Sequence, residues 1–505
     1  MDSFLLYKDS SADGKRGYSH RSDIIKDLNL DILFKTMARE DIFVAEKARR
    51  ITMIPLETPE EIRYRQEIIK DFLNHQDIIS ELYSCAERQL KALRQYKEVT
   101  ENNRTRTTNR TSEIIETLNY LNSGQMELIK IRDILRSSSV FFRSEGLKNL
   151  LARLESAHLD QIAERLKETD YFITGGEIQY TLQFGGGLKI CNATINYFTD
   201  KTFSKRRTSQ KGWKNLYNKY VKKDSISLTG NETLRSDVSR LSEVTILHVL
   251  KFYRPYLTDM IHFFDHFAEE IAFYMGVIRF MTRMDELHIP LAMPKPLPIG
   301  SKDTSFVNIY ELSMAIYLQM LPVVNSLSFT DNQLTIITGA NQGGKSTFLR
   351  SYGIAQIMMQ CGMPVPAISF SAPIYTQIFT HFTRREDEQL NSGRLREELS
   401  RISRMIDNAS KNCLFLLNES FASTTEKEGS RIADGILRAF YEKDISTMMV
   451  THLFQLAESL YNEQLPHTTF LVAERKDDGA RTFRMIPGAP SSTSYGTDLF
   501  KILED

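Results

Sequence analysis

From residue 21 to about residue 170, apolar positions recur at steps of three and four, the spacing of one buried helix face. SDIIKDLNLDILFKTM and TPEEIRYRQEIIKDFLNH both carry it. Thr58-Pro59 opens the second stretch as a helix start, a capping hydroxyl followed by a proline in the first turn. In LKNLLARLESAHLDQIAERL, Leu147, Leu151, Leu154, Ile162 and Leu166 fall on one stripe. The polar run NNRTRTTNRTS (102–112) predicts a loop or helix break.

The period then falls to two. In GGEIQYTLQFGGGLKI, Ile178, Tyr180, Leu182 and Phe184 alternate with Glu177, Gln179, Thr181 and Gln183 between glycines. That predicts a strand or hairpin with one buried face. Residues 171–235 therefore read as an insert in a helical scaffold. Helix resumes near Leu241, and Pro255 should kink or interrupt it. Beyond the proline, Leu257, Ile261, Phe264, Ala268, Ile271, Met275 and Ile278 form a coiled-coil-like seam. Phe263, Phe267 and Phe273 add a second buried face. The helix must end before PLAMPKPLPIG (290–300), a Pro-rich stretch that reads as a linker. Strands and helices then alternate to the C-terminus, an α/β pattern.

Composition narrows the function classes. A length of 505 residues suits about three domains. Apolar residues at 41% and charged residues at 25% fit a folded globular chain. With 64 Lys+Arg against 64 Asp+Glu, any nucleic-acid surface must be local. No apolar run is long enough to span a bilayer, and the N-terminus has no secretory h-region, so the expected compartment is the cytoplasm. Cys85, Cys191, Cys361 and Cys413 are scattered without a CxxC, which predicts neither a disulfide framework nor a zinc site.

The strongest chemical signal is Gly339-Ala340-Asn341-Gln342-Gly343-Gly344-Lys345-Ser346, which fits GxxxxGK[ST] at every fixed position. An apolar run, Leu334 to Thr338, precedes it, and a helical pattern begins at Thr347. Glycines let backbone amides wrap phosphate oxygens, and the helix N-terminus adds partial positive charge. Lys345 would neutralise the β/γ-phosphates of ATP, and Ser346 could ligate Mg²⁺. In CLFLLNES a buried-type strand ends at Asn418-Glu419. Glu419 is the candidate general base and Asn418 a metal-supporting oxygen without charge, although a strand-end acid can also merely cap a loop. A third strand, STMMVTHLFQL, puts Thr451-His452 at its C-terminal edge, where open α/β sheets hold ligands. His452 is either a γ-phosphate sensor or a packed histidine.

TGANQGGKST, with LRSYGIAQIMMQCGMPVPA after it, resembles the ATPase domain of the MutS family. NSGRLREEL (391–399) is similar to the family's Ser-Gly signature, in shortened form. LLNESFASTTEKEG (416–429) is similar to its Walker B and D-loop run, and FRMIPGAPSSTSYG (483–496) to its VPG…SYG element. The likeness is strong from about 305 to 500. It extends weakly upstream, where PEEIRYRQEIIKDFL resembles a core-domain segment and 257–284 a lever return helix. Asn418 departs from the family's usual Asp. The mismatch-recognition and connector domains have no room before residue 22, and Phe267-Ala268-Glu269 matches the mismatch-reading Phe-x-Glu by letters only. The family's C-terminal dimer brace and an Smr-type nuclease tail are also expected to be missing.

The resemblance implies a multidomain chain. It would have a mainly α-helical core/lever (1–170), a small β-containing clamp-like basic insert (171–235), lever return helices (236–295) and a MutS-type P-loop NTPase (ABC-like) α/β domain (296–505). It also implies that Ser392-Gly393 reach the γ-phosphate of an opposite subunit. The insert contains KTFSKRRTSQKGWKNLYNKYVKK (201–223), nine cations and no carboxylate. Lys205, Arg206, Arg207, Lys211 and Lys214 could meet DNA phosphates and Trp213 could stack on a base. The bland alternative is a solvated basic face. His262 and His266 sit one helical turn apart, but without a third ligand they read as a packed pair rather than a zinc site. The functional expectation is an ATP-hydrolysing, DNA-binding dimeric clamp using ATP and Mg²⁺. It would act on mismatched, branched or distorted DNA, nucleoid-associated, with repair or recombination proteins as possible partners and no membrane. The rival is a nucleotide-gated scaffold with weak hydrolysis, acting on recombination intermediates, RNA or ribosomes.

Overall fold

The computed structural model describes residues 3–8, 17–104, 110–174, 177–184, 190–199, 232–383, 393–476 and 480–490. The chain divides into two compact units. One comprises Met1–Ser3, Glu81–Val140 and Asn149–Ala268, the other Phe4–Ser80, Phe141–Lys148 and Glu269–Asp505. The helices in chain order are α1 Arg21–Asp27, α2 Leu30–Ala38, α3 Ile42–Thr52, α4 Pro59–Asn74, α5 Gln76–Arg104, α6 Arg110–Ser138, α7 Glu145–Ser156, α8 Leu159–Thr174 and α9 Glu232–Glu286. They continue as α10 Leu312–Leu318, α11 Lys345–Gln360, α12 Arg394–Asp407, α13 Glu426–Glu442 and α14 Phe454–Glu463.

In the first unit α6 packs along α8, and Gln125 Nε2 donates to the Leu159 carbonyl at 2.6 Å. Its strands β1 (Glu177–Phe184) and β2 (Ile190–Thr199) pair antiparallel, the hairpin that the period-two stretch predicts. The basic run, with Lys205, Arg206, Arg207, Lys211, Trp213 and Lys214, lies outside the described residues.

The second unit holds two sheets. The strands are β3 Lys295–Leu297, β4 Thr304–Ile309, β5 Asn325–Phe329, β6 Leu334–Thr338, β7 Ser369–Pro373, β8 Ile378–Phe382, β9 Leu414–Asn418, β10 Ser446–Val450, β11 Thr468–Arg475 and β12 Arg481–Pro487. One sheet runs β12-β11-β6-β10-β9-β8. It is parallel from β11 to β8, with β12 antiparallel at one edge. The other runs β3-β7-β4-β5. The helix α11 packs on β9, β10 and β12 of the first sheet and on β3 and β4 of the second, so nearly every side chain from Phe348 to Gln360 is buried. Its two buried glutamines make their bonds internally: Gln356 Nε2 donates to Pro373 O at 2.8 Å and Gln360 Nε2 to Tyr375 O at 2.8 Å. On the opposite face, Leu334, Ile336, Phe415 and Leu417 pack on Phe440, Leu456 and Leu460 of α13 and α14.

Four elements depart from the periodic reading. The stripe Leu147–Leu166 is two helices, because the chain turns at His158, whose φ is +50°. The first apolar stretch likewise splits at Asn29, with φ +53°. Pro255 does not interrupt its helix, which runs unbroken from Glu232 to Glu286. The proline is exposed, so water can satisfy the carbonyl that its missing N–H releases. The Pro-rich 290–300 is not a free linker, since Lys295–Leu297 pairs parallel with β7. β3 lies at the sheet edge, where a strand tolerates proline. The second buried face of α9 is present: Phe263, Phe264, Phe267 and Phe273 are all at most 2% exposed.

Candidate nucleotide site

The ends of three neighbouring parallel strands build the site. After β6 the chain turns through 339–344 into α11, and a Cβ on Gly344 would require φ +89° and lie 3.1 Å from the Phe483 carbonyl. Gly343 admits no side chain either: a Cβ would sit 2.8 Å from that of Ala473. The loop is thereby pressed against the β11–β12 hairpin, and Arg481 Nη1 donates to Gln342 Oε1 at 3.0 Å.

Lys345, the first residue of α11, is 4% exposed. Its ammonium donates to the carbonyls of Gly339 at 2.7 Å and Ala340 at 2.9 Å. Burial holds its pKa below the ordinary lysine value, opposed by the charge of Glu419. Ser346 and Thr347 follow on the same turn.

Glu419 leaves β9 with φ +57°, a left-handed conformation that costs about 1 kcal/mol or more for a residue with a Cβ. Its N–H donates to Val450 O at 2.9 Å, and Thr451 N–H donates to Ile337 O at 3.1 Å, stitching the ends of β9, β10 and β6 together. His452 Nε2 and Glu419 Oε1 are 2.7 Å apart. The hydrogen bond from His452 holds the Glu419 carboxyl below the ordinary glutamate range, ahead of the opposing effect of burial. Asn418 Oδ1 is buried with no hydrogen-bond partner among the described residues.

A cavity of about 520 Å³ opens over the loop. Gln342, Gly343, Gly344, Lys345, Ser346, Thr347 and Glu419 line its polar side. Its other wall is apolar: Met314 and Leu318 of α10, then Leu321, Pro322 and Val323, with Phe483 of β12 opposite. Periodicity did not single out this bay, although the aperiodic apolar run LQMLPVV directly before β5 was the available signal. Gly339 and Ala340 are buried under the loop, and Asn341 is exposed. Gly393 is the N-cap of α12, and Ser392 lies outside the described residues.

The geometry can cradle a polyanion on buried amides and one cation, with an ionised carboxylate and an imidazole at its far side. Two family models match the chain: "MutS domain V" over residues 335–504 and "MutS2 N-terminal domain" over residues 57–287. The chain is similar to the DNA mismatch repair protein MutS of Thermus aquaticus, 32% identical over 171 residues, which are 33% of this chain and 20% of that protein. The MutS of Thermotoga neapolitana is 32% identical over 179 residues, 35% of this chain and 22% of that one. The MutS of Lactobacillus delbrueckii subsp. bulgaricus is 31% identical over 176 residues, 34% and 20%. The shared stretch thus spans about a fifth of each relative's length. Both matched regions carry MutS-type descriptions, consistent with a short MutS-family form.

Proposed function

We propose that the chain binds ATP with Mg²⁺, hydrolyses it, and uses the cycle to gate a DNA-binding clamp. The clamp would work as a homodimer through the ATPase domains, in DNA repair or recombination control. The observation that carries the nucleotide reading is Lys345 at the start of α11, on the floor of a cavity that also holds Glu419. The loop carbonyls of Gly339 and Ala340 hold the ammonium. Phosphate oxygens would take their place, and the amides at the head of α11 would share the charge. The apolar bay of Leu318, Leu321, Pro322 and Phe483 suits a purine ring.

Glu419 stays ionised through its bond to His452 and so can orient and deprotonate an attacking water. The donor set fits a magnesium ion: Ser346 offers a hydroxyl and Asn418 a buried oxygen with no other partner among the described residues. Mg²⁺ held there supplies charge neutralisation at the phosphates. The uncharged Asn418 also favours a second reading, a scaffold that closes on ATP and hydrolyses it slowly. The MutS relatives are named for DNA mismatch repair, which supports DNA as the partner. Filter binding of homoduplex, mismatch, four-way-junction and RNA ligands, with and without ATP, tests the proposal. ATP-dependent retention of distorted DNA is expected. Equal retention of every ligand regardless of ATP would contradict it.

A further inference from the structure

A second cavity in the same unit, of about 580 Å³, is lined by Ile32, Lys35, Thr36 and Arg39 of the α2 segment, Arg283 and Glu286 of α9, and Ile316 of α10. Its size is that of a nucleotide-scale ligand site, on the order of 300–1,000 Å³. Arg283 spends its charge on Glu286, at 3.0 Å. Lys35 and Arg39 have no side-chain partner among the described residues, and the nearby Asp31 is paired with Arg49 at 3.6 Å. Two uncompensated cations therefore face one recess floored by two isoleucines.

The ordinary explanation for cations at the end of a helix is that they cap its last carbonyls. Here two of the last four carbonyls of α2 already have backbone or arginine donors. Lys35 O accepts from Arg39 N–H at 2.9 Å, and Ala38 O accepts from Asp41 N–H at 3.0 Å and from Arg279 Nη1 at 3.2 Å. At the end of α9, Arg283 O accepts from Leu287 N–H at 3.2 Å. Arg39 itself sits at φ 56°, ψ −100°, a conformation that glycine adopts freely and that strains a residue with a Cβ. An arginine kept in a glycine's place, with its head group unpaired at a cavity, is strain without a structural return.

We infer that this cavity is a binding site for a phosphate-bearing small anion, held by Lys35 and Arg39 and resting on Ile32 and Ile316. The site is separate from the P-loop but shares a wall with it: α10 contributes Ile316 here and Met314 and Leu318 to the nucleotide bay. An occupant would thus touch the helix that lines the bay.

The test is equilibrium dialysis of radiolabelled pyrophosphate, ADP and AMP against the full chain carrying Lys345→Ala, so that the P-loop competes weakly. Saturable retention of one equivalent per chain is expected. Lys35→Gln and Arg39→Gly should each weaken it about tenfold, the scale of one charge-assisted bond. Arg39→Gly should leave Tm unchanged or raise it, because glycine relieves the strain. Tighter retention of ADP than of pyrophosphate identifies a nucleotide, and equal retention identifies an inorganic or simple phosphate. No saturable retention of any probe, or retention indifferent to both substitutions, overturns the site. A lower Tm for Arg39→Gly with unchanged retention overturns it too, by making Arg39 structural. Failure of the nucleotide reading would appear elsewhere, as equal ATP affinity in the wild-type and Lys345→Ala chains.

Discussion

Single residues decide the chemistry of the P-loop site. Glu419 and His452 come from different strand ends and meet at 2.7 Å, so the carboxylate is both ionised and aimed. Glu419→Gln should leave ATP binding intact and slow single-turnover hydrolysis by about 10² or more, the loss expected of a positioned base. An unchanged rate would remove Glu419 from that role. The pH sense follows from the shift. The folded pKa lies below the ordinary 4.5, so the pair's stabilisation is present above that value and is lost as pH falls through the lowered one. The acid limb of the single-turnover rate should accordingly fall below pH 4.5, and a limb above it would contradict the pairing. Asn418→Asp should sharpen the Mg²⁺ dependence of ATP binding, checked by titrating the metal at fixed nucleotide. At this scale the loop was legible because its glycines, lysine and serine are contiguous. The bay was not, because it closes across a long separation, as the Arg481–Gln342 bond 139 residues apart shows.

At the scale of elements, local chemistry was legible wherever it was self-contained. Thr58 and Glu61 form a complete capping box at the start of α4, as Thr58-Pro59 suggested. Thr58→Ala should lower stability by about 1 kcal/mol in urea unfolding, with ATP binding unaffected. Tertiary demands overrode the pattern elsewhere: the proline-rich 290–300 gains a sheet partner and Pro255 rides inside a helix. The docking of α1 had no sequence signal either, since its polar contacts are all distant in sequence: Arg401 reaches Asp23 at 3.7 Å and Arg350 Nε donates to the Asp27 carbonyl at 3.0 Å. Asp27 Oδ2 accepts from Arg401 Nη2 at 2.8 Å and Thr380 Oγ1 at 2.9 Å, with Asp27 only 5% exposed. Asp27→Ala leaves Arg401 with Asp23 and the carbonyls of Phe382 and Thr380, and should cost about 1–3 kcal/mol. Joint removal as Asp27→Leu/Arg401→Met should cost less, and an equal or larger loss would show that the pair is not the source.

For the whole molecule, the sequence alone conveyed an α/β unit behind a helical region, and both family matches fall on those regions. The division into two units was not readable, because each is assembled from separate chain segments. The proposed DNA contact makes its own prediction. Replacing Lys205, Arg206, Arg207, Lys211 and Lys214 by Gln should reduce the slope of log affinity against log salt by about 0.9 per lost phosphate contact. The basal ATPase rate should hardly move, and an unchanged slope would leave the run a solvated face.

The claim on which all else depends is that the loop before α11 holds ATP through Lys345. Equilibrium titration with a fluorescent ATP analogue tests it most directly. The wild-type chain should bind saturably. Lys345→Ala, with its fold intact by circular dichroism, should lose about 10² or more in affinity, since amides alone cannot balance the β/γ-phosphate charge. Equal affinity in the two chains would contradict the assignment.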